Sequence, residues 1–192
     1  VEDHVSVINA GESDVSHPTQ GLLDLLTIRQ HNPDFKNMVV AIVGDIQHSR
    51  VAMSAAEALM TVGIGELRLV SPPALAPDAD RFPGATLADN IADGLRDADV
   101  VMALRIQRER MGNLDGVPGI DEYFANYGVS HENMKHAKPT AIVMHPGPMN
   151  RGIEIEGTLA DGPSSVITKQ VSNGVAVRMA VLNRIGKMMS AR

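Results

Sequence analysis

Four short apolar runs recur along the chain: Val39–Val43 (VVAIV), Leu67–Val70 (LRLV), Val100–Leu104 (VVMAL) and Ala141–Met144 (AIVM). All but the second are continuous in apolar residues, the pattern of strands buried on both faces; a strand with one wet face alternates. They begin roughly 30 to 40 residues apart, which leaves room for a crossover helix between parallel neighbours. Ser49–Met60 (SRVAMSAAEALM) is rich in Ala, Met and Leu, and Gly63 follows as a stop signal, so a helix is expected there. Asp89–Leu95 and Ser130–Ala137 predict shorter helices, although Ser130 with Asn133 lacks the full capping box. Alternating strands and helices predict an α/β domain, a parallel sheet of about four to five strands flanked by helices.

Two helical segments flank this core. Pro18–His31 carries its proline in the first turn, where proline is tolerated, and Leu22, Leu25, Leu26 and Ile28 at helical spacing. Ser165–Met189 is longer, and its apolar content is high for a surface helix with one partner. Near the start, Val5, Val7 and Ile8 look like part of a strand. Pro- and Gly-rich connectors fall at Ser71–Pro77, Gly112–Gly119 and Pro146–Pro148, and no internal repeat is visible.

Composition narrows the class. The 192 residues are 44% hydrophobic and 21% charged, which suits a globular chain and excludes a largely disordered one. A net charge of -6 argues against a broad nucleic-acid surface. The absence of cysteine removes disulfides and thiolate metal sites and fits a reducing, cytoplasmic setting. No apolar run approaches the ~18 residues of a spanning helix, so no membrane partner is expected, and the first residues lack the basic and apolar regions of a signal peptide. With no HxH, HExxH, GxGxxG or Walker pattern, neither a metal nor a nucleotide cofactor is indicated.

In open parallel sheets ligands sit beyond the carboxyl ends of the strands. After the first run comes Gly44-Asp45-Ile46-Gln47-His48-Ser49-Arg50 and then a helix. Ser49 suits the cap, and a cation at Arg50 is unfavourable against the helix dipole unless an anion sits nearby. A solvated arginine on the first turn fits the same residues. After the third run comes Arg105-Ile106-Gln107-Arg108-Glu109-Arg110, in which Arg105 and Gln107 share a face if extended. Arg50 and Arg105 at neighbouring strand ends would suit a substrate with two carboxylates, which guanidinium grips in pairs. A solvated charge run partly neutralised by Glu109 is the other reading. After the fourth run, His145-Pro146-Gly147-Pro148 fixes a turn with rigid carbonyls, able to accept from a ligand NH2 or to serve as a plain loop. His17 opens the first helix, where the dipole favours neutral imidazole, and Gln20 faces the same side; His17 also fits a simple cap.

Together these stretches resemble the aspartate carbamoyltransferase family within the aspartate/ornithine carbamoyltransferase superfamily. The matching residues are His17-Pro18-Thr19-Gln20 with Leu22-Leu23-Asp24-Leu25, Val43-Gly44-Asp45 with His48-Ser49-Arg50, Leu104-Arg105 with Gln107-Arg108-Glu109-Arg110, and His145-Pro146-Gly147-Pro148 with Asn150-Arg151-Gly152 and Glu154. Gln170-Val171 with Asn173-Gly174-Val175 completes the set, in the family's order from end to end. The ornithine enzymes carry His-Cys-Leu-Pro where this chain has His145-Pro146-Gly147-Pro148.

The resemblance implies a Rossmann-like aspartate-binding domain and one reaction. Carbamoyl phosphate and L-aspartate give N-carbamoyl-L-aspartate and phosphate, an early step of pyrimidine biosynthesis, with no cofactor. It implies that His17 stabilises the carbamoyl oxyanion as the catalytic group and that Gln20 helps hold the carbamoyl group. The carbonyls of Gly147 and Pro148 would accept from its NH2, Arg50 and Arg105 would clamp the aspartate carboxylates, and Gln107 would support them. It further implies residues 1–32 as a remnant and interdomain helix of a carbamoyl-phosphate domain, 33–163 as the aspartate-binding domain, and 164–192 as a helix returning to that other domain. The family's Ser-Thr-Arg-Thr phosphate motif is not among these residues, Gly11-Glu12-Ser13 stands where Gly-Asp-Gly is usual, and Met53 where a basic residue is common. The chain alone is therefore expected to have little or no activity. It is also expected to act in a homo-oligomer, trimeric by family habit, or with a separate carbamoyl-phosphate domain. A non-catalytic aspartate- or subunit-binding homologue and an ornithine-type carbamoyltransferase are the alternative readings.

Overall fold

The computed structural model describes residues 5–13, 15–106 and 116–190. Its strands are β1 (Val39–Val43), β2 (Glu66–Val70), β3 (Thr86–Ala88), β4 (Val100–Ala103) and β5 (Ile142–Met144). They form one sheet in the order β3-β2-β1-β4-β5, with every pairing parallel. Val40 lies opposite Leu67 on one side and Val100 on the other. The helices are α1 (Pro18–His31), α2 (Arg50–Thr61), α3 (Ile91–Leu95), α4 (Ile120–Tyr127), α5 (Gly157–Ala160) and α6 (Ile167–Ser190).

The unbroken apolar runs have the cause the pattern implied. Val40 and Ile42 of β1 join a core with Ile28 of α1, Ala52, Ala55 and Leu59 of α2, and Met102 and Met144. Ala41 and Val43 point into a second core with Leu95 of α3, Val101, Val143, Leu159 of α5 and Ile167 of α6. Each strand residue therefore meets protein on its own face, and alternation is lost. A third, smaller cluster of Leu75, Ile106, Tyr123 and Ile153 joins the segments that follow β2, β4 and β5 to α4.

The strand order decides where a ligand can enter. From β1 the chain moves outward to β2 and β3, then returns to β4 on the other side of β1. The connections leaving β1 and β4 diverge, which opens a crevice beyond their carboxyl ends.

Several sequence expectations change. Val5–Ile8 forms no strand. The helix expected over Ser130–Ala137 contracts to a single 3-10 turn, Asn133–His136. Asn133 N donates to Ser130 Oγ at 3.2 Å and Asn133 Nδ2 to the Gly128 carbonyl at 2.8 Å, so side chains take the backbone partners a helix would use. The edge strand β3 and helices α4 and α5 are too short to impose a period, and the sequence pattern misses them. By contrast α1, β1, α2 and α6 begin and end within two residues of expectation, because each is long or continuously apolar. Ser49 caps α2 as anticipated, accepting from Ala52 N at 3.1 Å.

Helix α6 leaves an apolar stripe in solvent: Val171, Val175, Met179 and Leu182 are all more than half exposed. Beside it, Leu22, Leu25 and Leu26 of α1 with Val177, Ala180 and Val181 line a groove of about 550 Å³. No helix among the described residues is long and apolar enough to cross a membrane.

Candidate active site

The crevice at the ends of β1 and β4 is a cleft of about 320 Å³ lined by Ser13, Asp45, His48, Ser49, Arg50, Leu104, Arg105, Pro146 and Gly147. Gly44 makes the convergence possible. Its φ is +141°, and a Cβ there would sit 2.8 Å from the Leu104 Cβ and 2.9 Å from the Leu104 carbonyl oxygen. Only glycine lets β1 and β4 end in such close contact.

Arg50 and Arg105, proposed from sequence on separate segments, line this one cleft. Arg105 is exposed and Arg50 half-buried. Arg50 reaches from the first turn of α2 to the Ser13 carbonyl at 3.4 Å, and Gly11 packs against its guanidinium. The third expected member, Gln107, lies outside the described residues, as do Arg108, Glu109 and Arg110. Gly147 is in the cleft wall, while Pro148, joined to it by a cis peptide bond, is exposed beside it.

His17 and Gln20 do not line the cleft; they lie at the start of α1. Helix α1 packs closely on α2 at Gly21, where a Cβ would come 2.5 Å from the Ser54 carbonyl oxygen. The His17 backbone N–H donates to Ser54 Oγ at 2.7 Å. His17 occupies the N-cap position of α1, but its side chain makes no capping hydrogen bond. Its pKa is held below the usual histidine value, first by burial and then by the positive charges of Arg50 and Arg178. Neutral imidazole was expected from the helix dipole; desolvation and two guanidiniums act in the same direction.

Sequence reasoning missed three supporting carboxylates. Asp45 accepts from the His48 main-chain N–H at 3.2 Å and pairs with His48 Nδ1 at 2.8 Å, which fixes the cleft floor between β1 and α2. Glu154, buried after β5, accepts from His145 Nε2 at 3.2 Å, from the Asn150 main-chain N–H, and through its other oxygen from Ile106 N at 3.5 Å. His145 Nδ1 accepts from Gly147 N at 2.8 Å, so the ring proton lies on Nε2, facing Glu154. Glu154 thus joins the loop bearing Arg105 to the loop bearing Gly147. On α1, Asp24 Oδ1 accepts from Gln20 Nε2 at 3.0 Å and from Gln170 Nε2 at 2.8 Å. Burial pushes Asp24 up to about 7, against the opposing effect of those two hydrogen bonds. A lone acid inside Leu22-Leu23-Asp24-Leu25-Leu26 was a legible signal, since charged residues rarely interrupt a buried helix face without a task.

Four buried side-chain atoms among the described residues lack a hydrogen-bond partner, and three of them, His17 Nδ1, Thr19 Oγ1 and Asp24 Oδ2, cluster on the first two turns of α1. Buried polar atoms without partners are costly, and functional sites are where that cost is kept. No group of three or more metal-ligating side chains occurs among the described residues.

A family model described as the Asp/Orn binding domain of aspartate/ornithine carbamoyltransferase matches residues 36–185. Among solved structures, ornithine carbamoyltransferase from Thermus thermophilus superposes with a TM-score of 0.77 at 25% identity, over 93% of this chain and 58% of that one. Ornithine carbamoyltransferase from Burkholderia thailandensis gives 0.74 at 29%, over 93% and 57%. Aspartate transcarbamoylase from Trypanosoma cruzi, in complex with carbamoyl aspartate and phosphate, gives 0.76 at 29%, over 91% and 57%. The chain thus spans less than three fifths of the length of these proteins.

Proposed function

Because the chain belongs to the aspartate/ornithine carbamoyltransferase family, we propose that it supplies the amino-acid half of a carbamoyl transfer and that the amino acid is aspartate. Solved relatives of both specificities match it about equally well, so the choice rests on the cleft. The observation that carries it is the meeting of Arg50 and Arg105 in one crevice. Two guanidiniums suit two carboxylates, whereas ornithine carries one carboxylate and an ammonium that both arginines would repel.

In this reading the aspartate amine attacks the carbamoyl carbon. A C–N bond forms, the carbonyl oxygen takes up negative charge, and the C–O bond to phosphate then breaks as the amine passes a proton to the departing phosphate. Arg50 and Arg105 orient the nucleophile. Neutral His17 offers an N–H to the developing oxyanion without first losing a proton. Gln20 and the carbonyls of Gly147 and Pro148 take the carbamoyl NH2. Most of the rate then comes from holding two reactants together rather than from covalent catalysis.

Residues 1–32 and 164–192 form the seam toward a carbamoyl-phosphate-binding half, 33–163 the aspartate-binding unit, and the exposed stripe of α6 gives that seam an apolar face to bury. The partner is such a half, on the same chain or another, or copies of this chain in an oligomer. The 192 residues alone turn over little or nothing, since phosphate finds few donors on them.

Calorimetric titration of the chain with succinate and with ornithine tests the specificity. Succinate binding that weakens about 10-fold or more in Arg105→Ala is expected, the loss of a charged hydrogen-bonded contact worth ~1.5–3 kcal/mol. Ornithine bound more tightly than succinate overturns the assignment. Carbamoyl aspartate formation at a family-typical rate by the isolated chain overturns the division of labour.

A further inference from the structure

The buried polar seam between α1 and α6 contains a sequence of hydrogen bonds whose direction is fixed at one end. The His145 backbone N–H can only donate, and it donates to Gln170 Oε1 at 2.9 Å. The Gln170 amide must therefore turn its Nε2 the other way, where it meets Asp24 Oδ1 at 2.8 Å. The same oxygen accepts Gln20 Nε2 at 3.0 Å. With its Nε2 committed to Asp24, Gln20 has to turn its carbonyl oxygen away from the seam.

We propose that Asp24 is a positioning residue that sets the orientation of the Gln20 amide, so that the carbamoyl end of the site presents acceptors and selects a ligand NH2. The proposal rests on the carbamoyltransferase reading above. It adds that discrimination between carbamoyl phosphate and an acyl phosphate of the same shape lacking NH2, such as acetyl phosphate, originates in this seam. Gln170 carries the same constraint to the main chain at His145, which leads into Gly147 and Pro148, so the two walls that receive the NH2 are set together.

Asp24 is 2% exposed, Gln170 1% and His145 0%, so water does not offer competing partners. Asp24 Oδ2 has no hydrogen-bond partner, and burial favours the protonated acid. An apolar residue would fill this place at less cost to the fold. What it would not do is tell Gln20 which way to turn or give the Gln170 Nε2 an acceptor. A second layer, Asn173 Nδ2 donating to Thr27 Oγ1 at 2.9 Å and to Gln30 Oε1 at 3.0 Å, already ties α1 to α6 without a carboxyl group.

The test compares wild type, Asp24→Asn and Asp24→Leu. Asparagine keeps an acceptor oxygen for both glutamines; leucine removes it. In NMR spectra of the whole chain, the Gln20 and Gln170 side-chain amides and the His145 backbone N–H should stay near their wild-type positions in Asp24→Asn and all move in Asp24→Leu. A His145 resonance indifferent to Asp24→Leu overturns the linkage. With the chain assembled with a carbamoyl-phosphate-binding half, the ratio of kcat/KM for carbamoyl over acetyl phosphate should fall at least 10-fold in Asp24→Leu and stay within about 3-fold in Asp24→Asn, with KM for aspartate within about 2-fold in both. An unchanged ratio in Asp24→Leu overturns the assignment. If Asp24→Leu does not fold, Gln170→Leu must shift His145 and lower the ratio in the same direction; no effect overturns it equally. An assembled wild type that transfers nothing defeats the functional reading and the selectivity claim, while the spectra still decide the hydrogen-bond relay on their own.

Discussion

Glu154 is one carboxylate asked to hold two loops, and removing it measures how firmly the cleft is built. In Glu154→Ala, three donors lose their acceptor: His145 Nε2–H, Asn150 N–H and Ile106 N–H. His145 is 0% and Glu154 1% exposed, so water cannot readily replace the lost oxygens without opening the loops. An orphaned buried donor costs about 1–3 kcal/mol. The Ile106 contact, at 3.5 Å, counts for little, leaving two full penalties. Removing the buried carboxylate also returns part of its desolvation cost. The net expectation is a loss of about 2–4 kcal/mol. Glu154→Gln keeps one oxygen for His145 and Asn150 but turns an NH2 toward the Ile106 N–H, and should lose about 1–2 kcal/mol. Urea unfolding followed by far-UV circular dichroism gives both numbers as shifts in midpoint at constant slope. With no tryptophan and 2 tyrosines, the chain offers little to fluorescence. A Glu154→Ala midpoint within about 0.5 kcal/mol of wild type would refute the anchor. Equal losses in the two variants would show that charge matters and acceptor geometry does not.

Two further outcomes follow from the same structure. The Asp24 pKa is pushed up to about 7, so the folded state holds its proton more tightly than the unfolded chain does. Its contribution is then greatest below about pH 4 and declines as pH rises to about 7, by at most ~1.4 kcal/mol per pH unit. The difference in stability between wild type and Asp24→Asn should fall over that window and level off above it; a pH-independent difference would contradict the buried acid. Gly44→Ala should cost about 1–3 kcal/mol through its positive φ, with more from the Leu104 contact, and should weaken succinate binding by spreading β1 and β4. A stable Gly44→Ala with unaltered binding would show that the close approach is not needed.

The sequence was informative wherever one residue type is forced by its immediate neighbours. Continuous apolar runs gave the central strands, a proline in the first turn gave α1, and a serine before an alanine-rich stretch gave α2 with its cap. It was silent where partners are remote. It also missed one local case: the Ser130 and Asn133 side chains bond to backbone groups within five residues, and the expected helix shortens to one turn. The candidate residues were each legible but ambiguous: Arg50 alone is a solvated arginine, and Arg105 alone belongs to a charge run.

Local chain chemistry therefore determined the element types, the α/β class and the family motifs, since these depend on neighbours within a few residues. Tertiary structure decided which motifs meet. The sheet order puts β4 beside β1, so two arginines 55 positions apart share one cleft. It also brought Gln170 to Asp24, 146 residues away, and left His17 out of the cleft wall. A buried hydrogen bond of that kind has no local pattern, because its donor and acceptor are joined only when the chain has already folded.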